Sequence, residues 1–434
     1  MPVKFRLNLM MFLEYAVKGL WFPLASVFLT AAIADGGLGF TEKEKGLIIG
    51  IPFAVGAILS PFVGQLCDRF FAAQRTLGVL LMATGMLKII TAQQASFTAW
   101  LILGTAFAIL YVPTVSVTNS LAMSHLKDSK SEFPKVRLWG TIGWIAVAWV
   151  FPMIWLQHDL QLQWLPPFLK GTQHTDVIAR MIDAVTVAGV VAIVYGGFCF
   201  VGLPHTPPAK REKGSGVALW QALALFRKPS FTILLAVSLL IAGVHTIYFF
   251  QMGSFLVAAG LDGSDVLPAM SLGQFSEIAV MALLGTFLGK VGFRWTMAFG
   301  AFCFALRYLI FSQTGLPVGV HVAAQLLHGF CFACFFAAAF IYVDRIAPKA
   351  VRHSAQTLYT LVMFGLGPIL ATQLNGWLAT RAETVEGKLT LNGFATYWQI
   401  AGWVALGCAI AFAIFFRDET ESDEQSSVQE SEGV

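Results

Sequence analysis

Charged side chains are scarce in this chain. Asp, Glu, Lys and Arg make up 12% of its 434 residues, whereas soluble domains contain about 25%. Hydrophobic residues account for 57% of the sequence, and the mean hydropathy is +0.72. This composition excludes an ordinary soluble domain and indicates a protein embedded in a lipid bilayer.

Several catalytic and energy-coupling motifs are also missing. The sequence has no Walker loop of the form G-x-x-x-x-G-K-[ST], so ATP is not its direct energy source. It has neither the H-E-x-x-H motif of zinc hydrolases nor the G-x-S-x-G motif of serine hydrolases. We therefore predict that the chain is not an enzyme and that it binds neither a metal nor an organic cofactor.

Cysteines are few, and all six fall in or at the ends of hydrophobic stretches. None lies in a predicted outer loop, so the sequence implies no disulfide framework. Cys331 and Cys334 have the spacing of a metal or redox pair, but they lie in an apolar segment without a second pair. We interpret both as small packing residues.

What the sequence does contain is twelve separate hydrophobic stretches. They lie at about 7–32, 45–67, 76–95, 98–122, 137–156, 180–203, 229–258, 267–289, 295–313, 317–343, 353–379 and 394–416. Each can cross a bilayer, which takes about 20 apolar residues, and only helices satisfy their backbone in hydrocarbon. We predict an all-α polytopic membrane protein with twelve transmembrane helices. Because the first stretch is long and holds Glu14 and Lys18, we expect it to be retained rather than cleaved as a signal.

The loops predict orientation and organisation. With both termini in the cytoplasm, the inner segments hold 18 Lys and Arg residues and the outer segments hold 6, as the positive-inside rule requires. A basic, Pro-containing linker at 204–228 separates two six-helix halves, 1–203 and 229–416. The outer segment 157–179 is expected to be an interfacial flap, and the acidic tail at 417–434 is expected to be disordered.

A motif follows the second stretch. It reads Gly64-Gln-Leu-Cys-Asp68-Arg69, with a second arginine at Arg75. Together with two six-helix halves and a basic central loop, it resembles the major facilitator superfamily. That resemblance implies a fold whose two halves line a mid-membrane site and rock to alternate its access. It also implies that the motif helps to lock one conformation.

Other segments narrow the resemblance. Arg137-Leu-Trp-Gly-Thr141-Ile-Gly-Trp144 opens the fifth stretch, and Ser271-Leu-Gly-Gln274-Phe-Ser-Glu277 lies in the eighth. In order and spacing these segments are similar to the nucleoside:proton symporter family over nearly the whole chain. The resemblance implies that Arg137, Thr141, an aromatic at Trp144, Gln274 and Glu277 contact the nucleoside.

Embedded charges are candidates for function because a charge inside a bilayer is costly. Glu277 lies one helical turn after Gln274, and burial favours the protonated form of a carboxyl, which suits a proton carrier. The alternative is that Glu277 only neutralises Arg307. Glu14 and Lys18 have the spacing of a local ion pair. Either the two charges only neutralise each other, or Glu14 joins the proton path. Lys88 lies mid-span without an obvious partner.

The seventh and tenth stretches depart from the resembled family. Where the family has an amide, this sequence has Thr246, and where it has a tyrosine, this sequence has His328. The aromatic Phe332 is kept, but the acidic residue after it is replaced by Ala333. We list Thr246, His328 and Phe332 as further candidate substrate contacts. His245, Tyr248, Gln251 and His328 are candidates to replace the lost hydrogen-bonding groups.

The sequence therefore predicts a secondary transporter, with proton-coupled nucleoside uptake by alternating access as the leading function. The proton is the coupling ion, and the partners are a nucleoside and the bilayer, not nucleic acid. We expect a functional monomer in a bacterial inner membrane. Alternatives are transport of another small polar metabolite, such as a sugar or an aromatic compound, and a transport-dead substrate sensor.

Overall fold

The computed structural model describes residues 2–127, 129–164, 168–207, 223–348, 352–385 and 387–418. Within these ranges, side chains are described except at 63–70, 129–131, 223–224 and 352–353. Most of the predicted linker, 208–222, and the predicted disordered tail from 419 onward lie outside the described residues.

Six long helices form the N-terminal half, and we label them α1 to α6. Their bounds are Val3–Thr30, Glu42–Phe70, Ala73–Ala92, Phe97–Ser124, Ser129–Phe151 and Val177–Val201. A turn divides α1 into Val3–Trp21 and Ala25–Thr30. A π-helical turn, Pro152–Leu156, extends α5, and a short 3₁₀ turn, Ile33–Asp35, follows α1.

The C-terminal half begins with the 3₁₀ turn Leu223–Arg227 and helix α7, Pro229–Ala258. After the 3₁₀ turn Gly263–Asp265 comes a 46-residue run, Val266–Phe311, whose limbs 266–291 and 293–311 we label α8 and α9. The last three helices are α10 (Val318–Ile346), α11 (Ser354–Ala379) and α12 (Leu391–Phe415). Helices α10 and α11 contain the π-helical segments Cys331–Ala337 and Val362–Leu366.

The break between α8 and α9 lies at Gly292. Its φ of 74° and ψ of 176° are non-helical, a conformation that glycine adopts without the cost of a Cβ. Eleven helices in the described part of the chain are long and apolar enough to cross a membrane, and Gly292 divides one of them into two crossings. The prediction of an all-α, twelve-crossing protein is confirmed, although no loop separates the eighth and ninth helices.

Two small antiparallel hairpins complete the structure. Strands β1 (Gln157–Leu162) and β2 (Leu169–Gln173) pair with Gln157 opposite Gln173 and Leu162 opposite Leu169. They occupy the segment predicted to be an interfacial flap. Strands β3 (Thr384–Val385) and β4 (Lys388–Leu389) connect α11 to α12.

Glycines allow α3 and α6 to pack closely. A Cβ placed on Gly85 would lie 2.5 Å from the carbonyl oxygen of Gly189, and one on Gly196 would lie 2.8 Å from that of Gly78. Without a hydrophobic driving force between helices in lipid, such small residues let backbones approach and gain van der Waals contact. The N-terminal half is therefore tightly packed around α3 and α6.

The largest contacts between the two halves are made by three helix pairs. Helix α2 packs on α11, α5 packs on α8, and the end of α1 packs on α7. We call the end of the bundle where α1 begins and α12 finishes the terminal end, and the opposite end the distal end. The middle portions of α1, α5, α7, α8 and α10 surround the interface between the halves, and the predicted site residues lie there.

Candidate functional site

Glu14, in the middle of α1, is fully buried and points toward α4. The hydroxyl of Thr114 donates to its Oε1 at 2.7 Å, and that of Thr118 donates to its Oε2 at 3.2 Å. Tyr111 also donates to the Glu14 backbone carbonyl at 2.7 Å. These bonds compensate part of the cost of burying the carboxyl group.

The expected ion pair between Glu14 and Lys18 is wrong for the described structure. Both carboxylate oxygens of Glu14 are engaged by threonines of α4, while Lys18 turns the other way. Its Nζ lies 4.6 Å from the ring centres of both Phe22 and Phe53, which are cation–π distances. Helical spacing permitted the pair, but packing against α4 and α2 separates the two charges.

Arg137 projects from α5 onto the ring of Tyr15 in α1, with Cζ 3.9 Å from the ring centre. It also interacts electrostatically with Glu277 of α8. Helix α5 belongs to the N-terminal half and α8 to the C-terminal half, so this pair of opposite charges spans the interface. The structure thus brings together two of the predicted site residues from different halves.

Thr141 and Trp144 follow Arg137 on α5. The Trp144 ring covers Gly19 of α1, where an added Cβ would lie 3.1 Å from Trp144 Cδ2. Thr141 is partly exposed. Since 137, 141 and 144 share one helical face, the three predicted contacts lie along α5 where it faces α1.

On α8, Glu277 faces His328 of α10. Its Oε2 lies 3.9 Å from His328 Nε2, and the Glu277 side chain is 18% exposed. The alternative of a direct pair between Glu277 and Arg307 is wrong, because His328 lies between them. Arg307 Nη1 is 3.3 Å from His328 Nδ1, and Arg307 Nη2 donates to Gln325.

This arrangement determines the tautomer of His328. A guanidinium has donors only, so Nδ1 of His328 must accept from Arg307. The neutral imidazole then carries its hydrogen on Nε2, which is the nitrogen directed at Glu277. Arg307 is fully buried and held further by Tyr248, whose ring centre lies 4.2 Å from its Cζ.

Three further predicted contacts lie around this cluster. The nitrogen of the Gln274 amide, oriented by its hydrogen bonds, reaches the carbonyl oxygens of Met270 at 3.1 Å and Ser271 at 3.3 Å. Thr246 donates to the carbonyl of Ala242 on its own helix at 2.8 Å. The Phe332 ring lies 6.1 Å from that of His328.

His245 of α7, one of the candidates to replace the lost hydrogen-bonding groups, lies beside this cluster. Its ring stacks on that of His328 at 5.7 Å, and it interacts electrostatically with Lys18 across the interface. Its Nδ1 is buried and has no hydrogen-bond partner among the described residues. Arg307 Nε is likewise buried without a hydrogen-bond partner among the described residues, so the cluster includes polar atoms whose hydrogen bonds are not satisfied within the site.

Lys88, which had no obvious partner in the sequence, packs on aromatic rings inside the N-terminal half. Its Nζ lies 3.1 Å from the ring centre of Trp21 and 4.2 Å from that of Phe107. The side chain is almost completely buried. Lys88 therefore binds α3 to α1 and α4 rather than lining the interface between the halves.

A buried polar cluster joins the halves nearer the distal end, and we call it the distal latch: Glu42, Lys45, Gln251 and Asn375. Lys45 Nζ lies 2.8 Å from Glu42 Oε2 and donates to Gln251 Oε1 at 2.8 Å. The Gln251 amide nitrogen donates to Glu42 at 2.9 Å and to Asn375 at 2.8 Å. Asn375 donates to the Glu42 carbonyl at 2.7 Å. Helix α2 is thereby bound to α7 and α11.

The hairpin β1–β2 adds contacts at the same end. Lys170 bridges Asp265 at 2.7 Å and Asp262 at 3.2 Å, both just before α8. The hydrogen bond to Asp265 raises the pKa of the Lys170 ammonium above its usual range, so this contact persists at physiological pH. The hydrogen bonds and ion pairs seen between described side chains of the two halves lie toward the distal end.

The predicted conformational motif is only partly visible. The side chains of Gly64, Asp68 and Arg69 lie outside the described residues, and Arg75 is exposed near the start of α3. Cys331 and Cys334 are buried, free cysteines in the π-helical segment of α10. Their surroundings are apolar rings such as Phe330 and Phe335, as their interpretation as packing residues requires.

Comparison with known proteins identifies this arrangement of helices and charges. The family model described as "Nucleoside H+ symporter" matches residues 1–421. The chain belongs to the nucleoside H+ symporter family. The resemblance found from the 137–144 and 271–277 segments is thereby confirmed.

Individual members of the family are similar over their full length. YegT of Escherichia coli K12 is 32% identical over 424 residues, covering 95% of this chain and 93% of YegT. The nucleoside permease NupG of the same organism is 24% identical over 96% of this chain and 95% of NupG. A crystal structure of the nucleoside transporter NupG superposes with a TM-score of 0.79 at 21% identity, covering 96% of this chain and 100% of that chain. It shows that the symporter shares the NupG fold.

Several residues of the site were not among the sequence candidates. Tyr15 supports Arg137, and Thr114 and Thr118 hold Glu14. A polar group inside an apolar helix is the signal that could have found the threonines and the distal latch. No sequence signal distinguishes Tyr15 from other helical aromatics, because its role depends on the crossing of α1 and α5.

Proposed function

We propose that this symporter imports nucleosides together with protons by alternating access. The observation that carries the proposal is that Arg137 and Glu277, which belong to different halves, lie close enough at the middle of the interface to interact electrostatically without forming a direct ion pair. A substrate bound between two such groups contacts both halves at once, so its binding can be coupled to their relative movement. The family described as nucleoside H+ symporters, and the nucleoside permease NupG, support the choice of substrate.

The proposed site has the groups that a nucleoside needs. Arg137, Thr141 and Gln274 supply hydrogen-bond donors and acceptors for ribose hydroxyls and base edges. Trp144 and Phe332 supply ring faces, and stacking on a base is worth about 1–3 kcal/mol in nucleic-acid systems. Thr246 and His328 complete the proposed contacts from α7 and α10.

Glu277 is the proposed proton carrier. Its carboxyl group sits beside the neutral imidazole of His328 and interacts electrostatically with Arg137. Glu277 is therefore neither fixed in a direct salt bridge nor enclosed in a purely apolar pocket. In the proposed cycle it takes up a proton from the outer side and releases it in the cytoplasm. Glu14, held by Thr114 and Thr118, is the proposed second protonation site.

Alternating access is proposed to use 1–203 and 229–416 as the two moving halves, joined by the linker at 204–228. With both termini in the cytoplasm of a bacterial cell, the distal latch would lie on the outer side and hold that side closed in the inward-facing state. The motif of Gly64, Asp68, Arg69 and Arg75 is proposed to stabilise the opposite, outward-facing state. We propose that a monomer in the lipid bilayer is the functional unit, without a nucleic-acid partner or cofactor.

A second candidate is transport of a different small polar metabolite. It is favoured by Thr246, whose hydroxyl is already bonded to Ala242 within α7, where the resembled family has an amide. The same observation would suit a sensor that binds a substrate without moving it.

Uptake by purified protein in proteoliposomes tests the proposal. Labelled uridine and adenosine are offered with and without an inward proton gradient. Saturable accumulation that requires the gradient is expected for at least one of them. Binding without flux would indicate a sensor, and no binding of either nucleoside by folded protein would require a different substrate.

A further inference from the structure

Lys18 is a cation at the interface without an anionic partner. No hydrogen bond or ion pair joins its ammonium to any described residue; its contacts are the rings of Phe22 and Phe53. The nearest acid along the chain, Glu14, is turned away and bound to α4. Charges embedded in a membrane protein are normally paired, and cation–π contact alone is weaker than an ion pair in a desolvated site.

The other charges of the site do not compensate Lys18. Glu277 interacts electrostatically with Arg137, so its carboxyl group already has a cationic neighbour. His245 also interacts electrostatically with Lys18. An imidazole is either neutral or positive, so it adds no negative charge. Between Lys18 and the facing α7, the described site therefore has an excess of positive charge.

The position of Lys18 is that of a substrate contact and not that of a structural lysine. Lys18 lies three residues after Tyr15 on the same face of α1. Because Arg137 packs on the Tyr15 ring, Lys18 lies about 4.5 Å further along the axis of α1 than that contact. Beyond it, the ring of Phe22 meets that of Phe249 from the other half at 5.1 Å. Lys88 is different, because it lies directly on Trp21 inside the N-terminal half.

We infer that Lys18 binds an acidic group of the substrate, so that the preferred ligand is a nucleoside-sized molecule carrying one negative charge. This inference rests on the proposed nucleoside site and specifies its substrate class. Arg137, Glu277 and Gln274 hold the polar part that any nucleoside has, while the ammonium of Lys18, framed by Phe22 and Phe53, selects the acid. A neutral ligand of the same shape leaves this ammonium unpaired.

The test compares acids with amides of equal size. Four uridine derivatives are used, with a carboxylate or a carboxamide either at C5 of the base or in place of the ribose hydroxymethyl group. Dissociation constants are measured on purified protein from ligand-dependent thermal stabilisation, together with uridine itself. In the wild type, at least one acid is expected to bind at least tenfold more tightly than its amide.

Variants then assign that preference to Lys18. Lys18→Gln is expected to bring the acid-to-amide ratio close to one, while Lys18→Arg retains it. Lys290→Gln, at an exposed lysine at the terminal end of α8, is the control and should retain it as well. If Lys18→Gln does not fold, Lys18→Met, which also removes the charge and keeps the apolar stem, takes its place, and a ratio close to one is expected there too.

Three results would overturn the inference. A wild-type ratio of one for both pairs, with uridine and the amides binding, contradicts the acidic substrate and leaves the nucleoside proposal intact. A preference that survives Lys18→Gln contradicts the role of Lys18. Absence of stabilisation by uridine and by all four derivatives overturns the nucleoside proposal and this inference together.

Discussion

Nε2 of His328 lies 3.9 Å from Oε2 of Glu277, while Nδ1 of the same ring lies 3.3 Å from Arg307. The His328 imidazole therefore separates the buried guanidinium of Arg307 from the carboxyl group of Glu277 and directs its Nε2–H toward that carboxyl group. A direct salt bridge to Arg307 would hold Glu277 in its charged form. Interposing His328 leaves the carboxyl free to change its protonation state during a cycle.

Glu277→Gln should uncouple transport from the proton gradient. The substitution keeps the volume and polarity of the side chain but removes its titratable proton. We expect gradient-driven accumulation of uridine to be lost, while exchange of internal for external uridine continues at a substantial fraction of the wild-type rate. Full accumulation by this variant would rule out Glu277 as the proton carrier. Glu383→Gln, at an exposed position between α11 and α12, is the matched control.

Arg137→Ala should weaken nucleoside binding at least tenfold, which corresponds to about 1.4 kcal/mol. The variant loses the donors of the guanidinium and leaves Glu277 without its cationic neighbour. Isothermal titration with uridine measures the effect. Arg137→Lys keeps the charge but not the planar donor geometry, so an intermediate loss is expected. An unchanged affinity in Arg137→Ala would reduce Arg137 to a structural contact of Tyr15.

Glu14→Gln should lower coupling without unfolding the N-terminal half. The amide nitrogen can donate to the threonine hydroxyl that it faces, because a hydroxyl also accepts. Thr114 and Thr118 have second partners in the Tyr111 carbonyl at 2.6 Å and the Tyr195 hydroxyl at 3.2 Å, so the melting temperature should stay near that of the wild type. Accumulation should fall below wild type while exchange persists. Wild-type accumulation would exclude Glu14 from the proton path.

Lys45→Met should release the distal latch. Removing the ammonium leaves Glu42 and Gln251 buried without their shared partner, and breaking a buried ion pair costs about 3–5 kcal/mol. We expect the distal ends of the halves to separate more often. Spin labels at Ile33 and Val385, both exposed at the distal end on opposite halves, report this as a longer distance by electron–electron double resonance.

The control for the latch is Lys43→Met, two residues away at the start of α2. It should leave the distance distribution unchanged. If Lys45→Met also gave the wild-type distribution in lipid, Lys45 would stabilise the fold without holding the halves together. The native cysteines are replaced in all of these variants so that only the two introduced sites carry labels.

The helices could be predicted well because long apolar runs allow little else in a bilayer. Glu277 and Arg137 could be found for a related reason, since embedded charges stand out against such runs. Lys45 could not, because it stands at the first position of an apolar stretch and has the pattern of a loop charge. Its burial depends on Gln251, which is 206 residues away.

The sequence also could not predict which charged side chains form pairs with each other. The spacing of Glu14 and Lys18 is ideal for an ion pair, and only the threonines of α4 and the rings of α1 and α2 separate the two side chains. Likewise, Arg307 and Glu277 could be paired from sequence, but His328 lies between them. Local periodicity places a charge on a face of a helix, whereas the crossing of helices decides what it meets.

Proton movement driven by substrate tests the central claim most directly. Proteoliposomes are prepared without a gradient in a weakly buffered medium, and external pH is recorded while uridine is added. Symport predicts that the medium becomes alkaline in proportion to uridine entry in the wild type and that Glu277→Gln gives no pH change. Uridine entry without any change of pH in the wild type would contradict proton coupling.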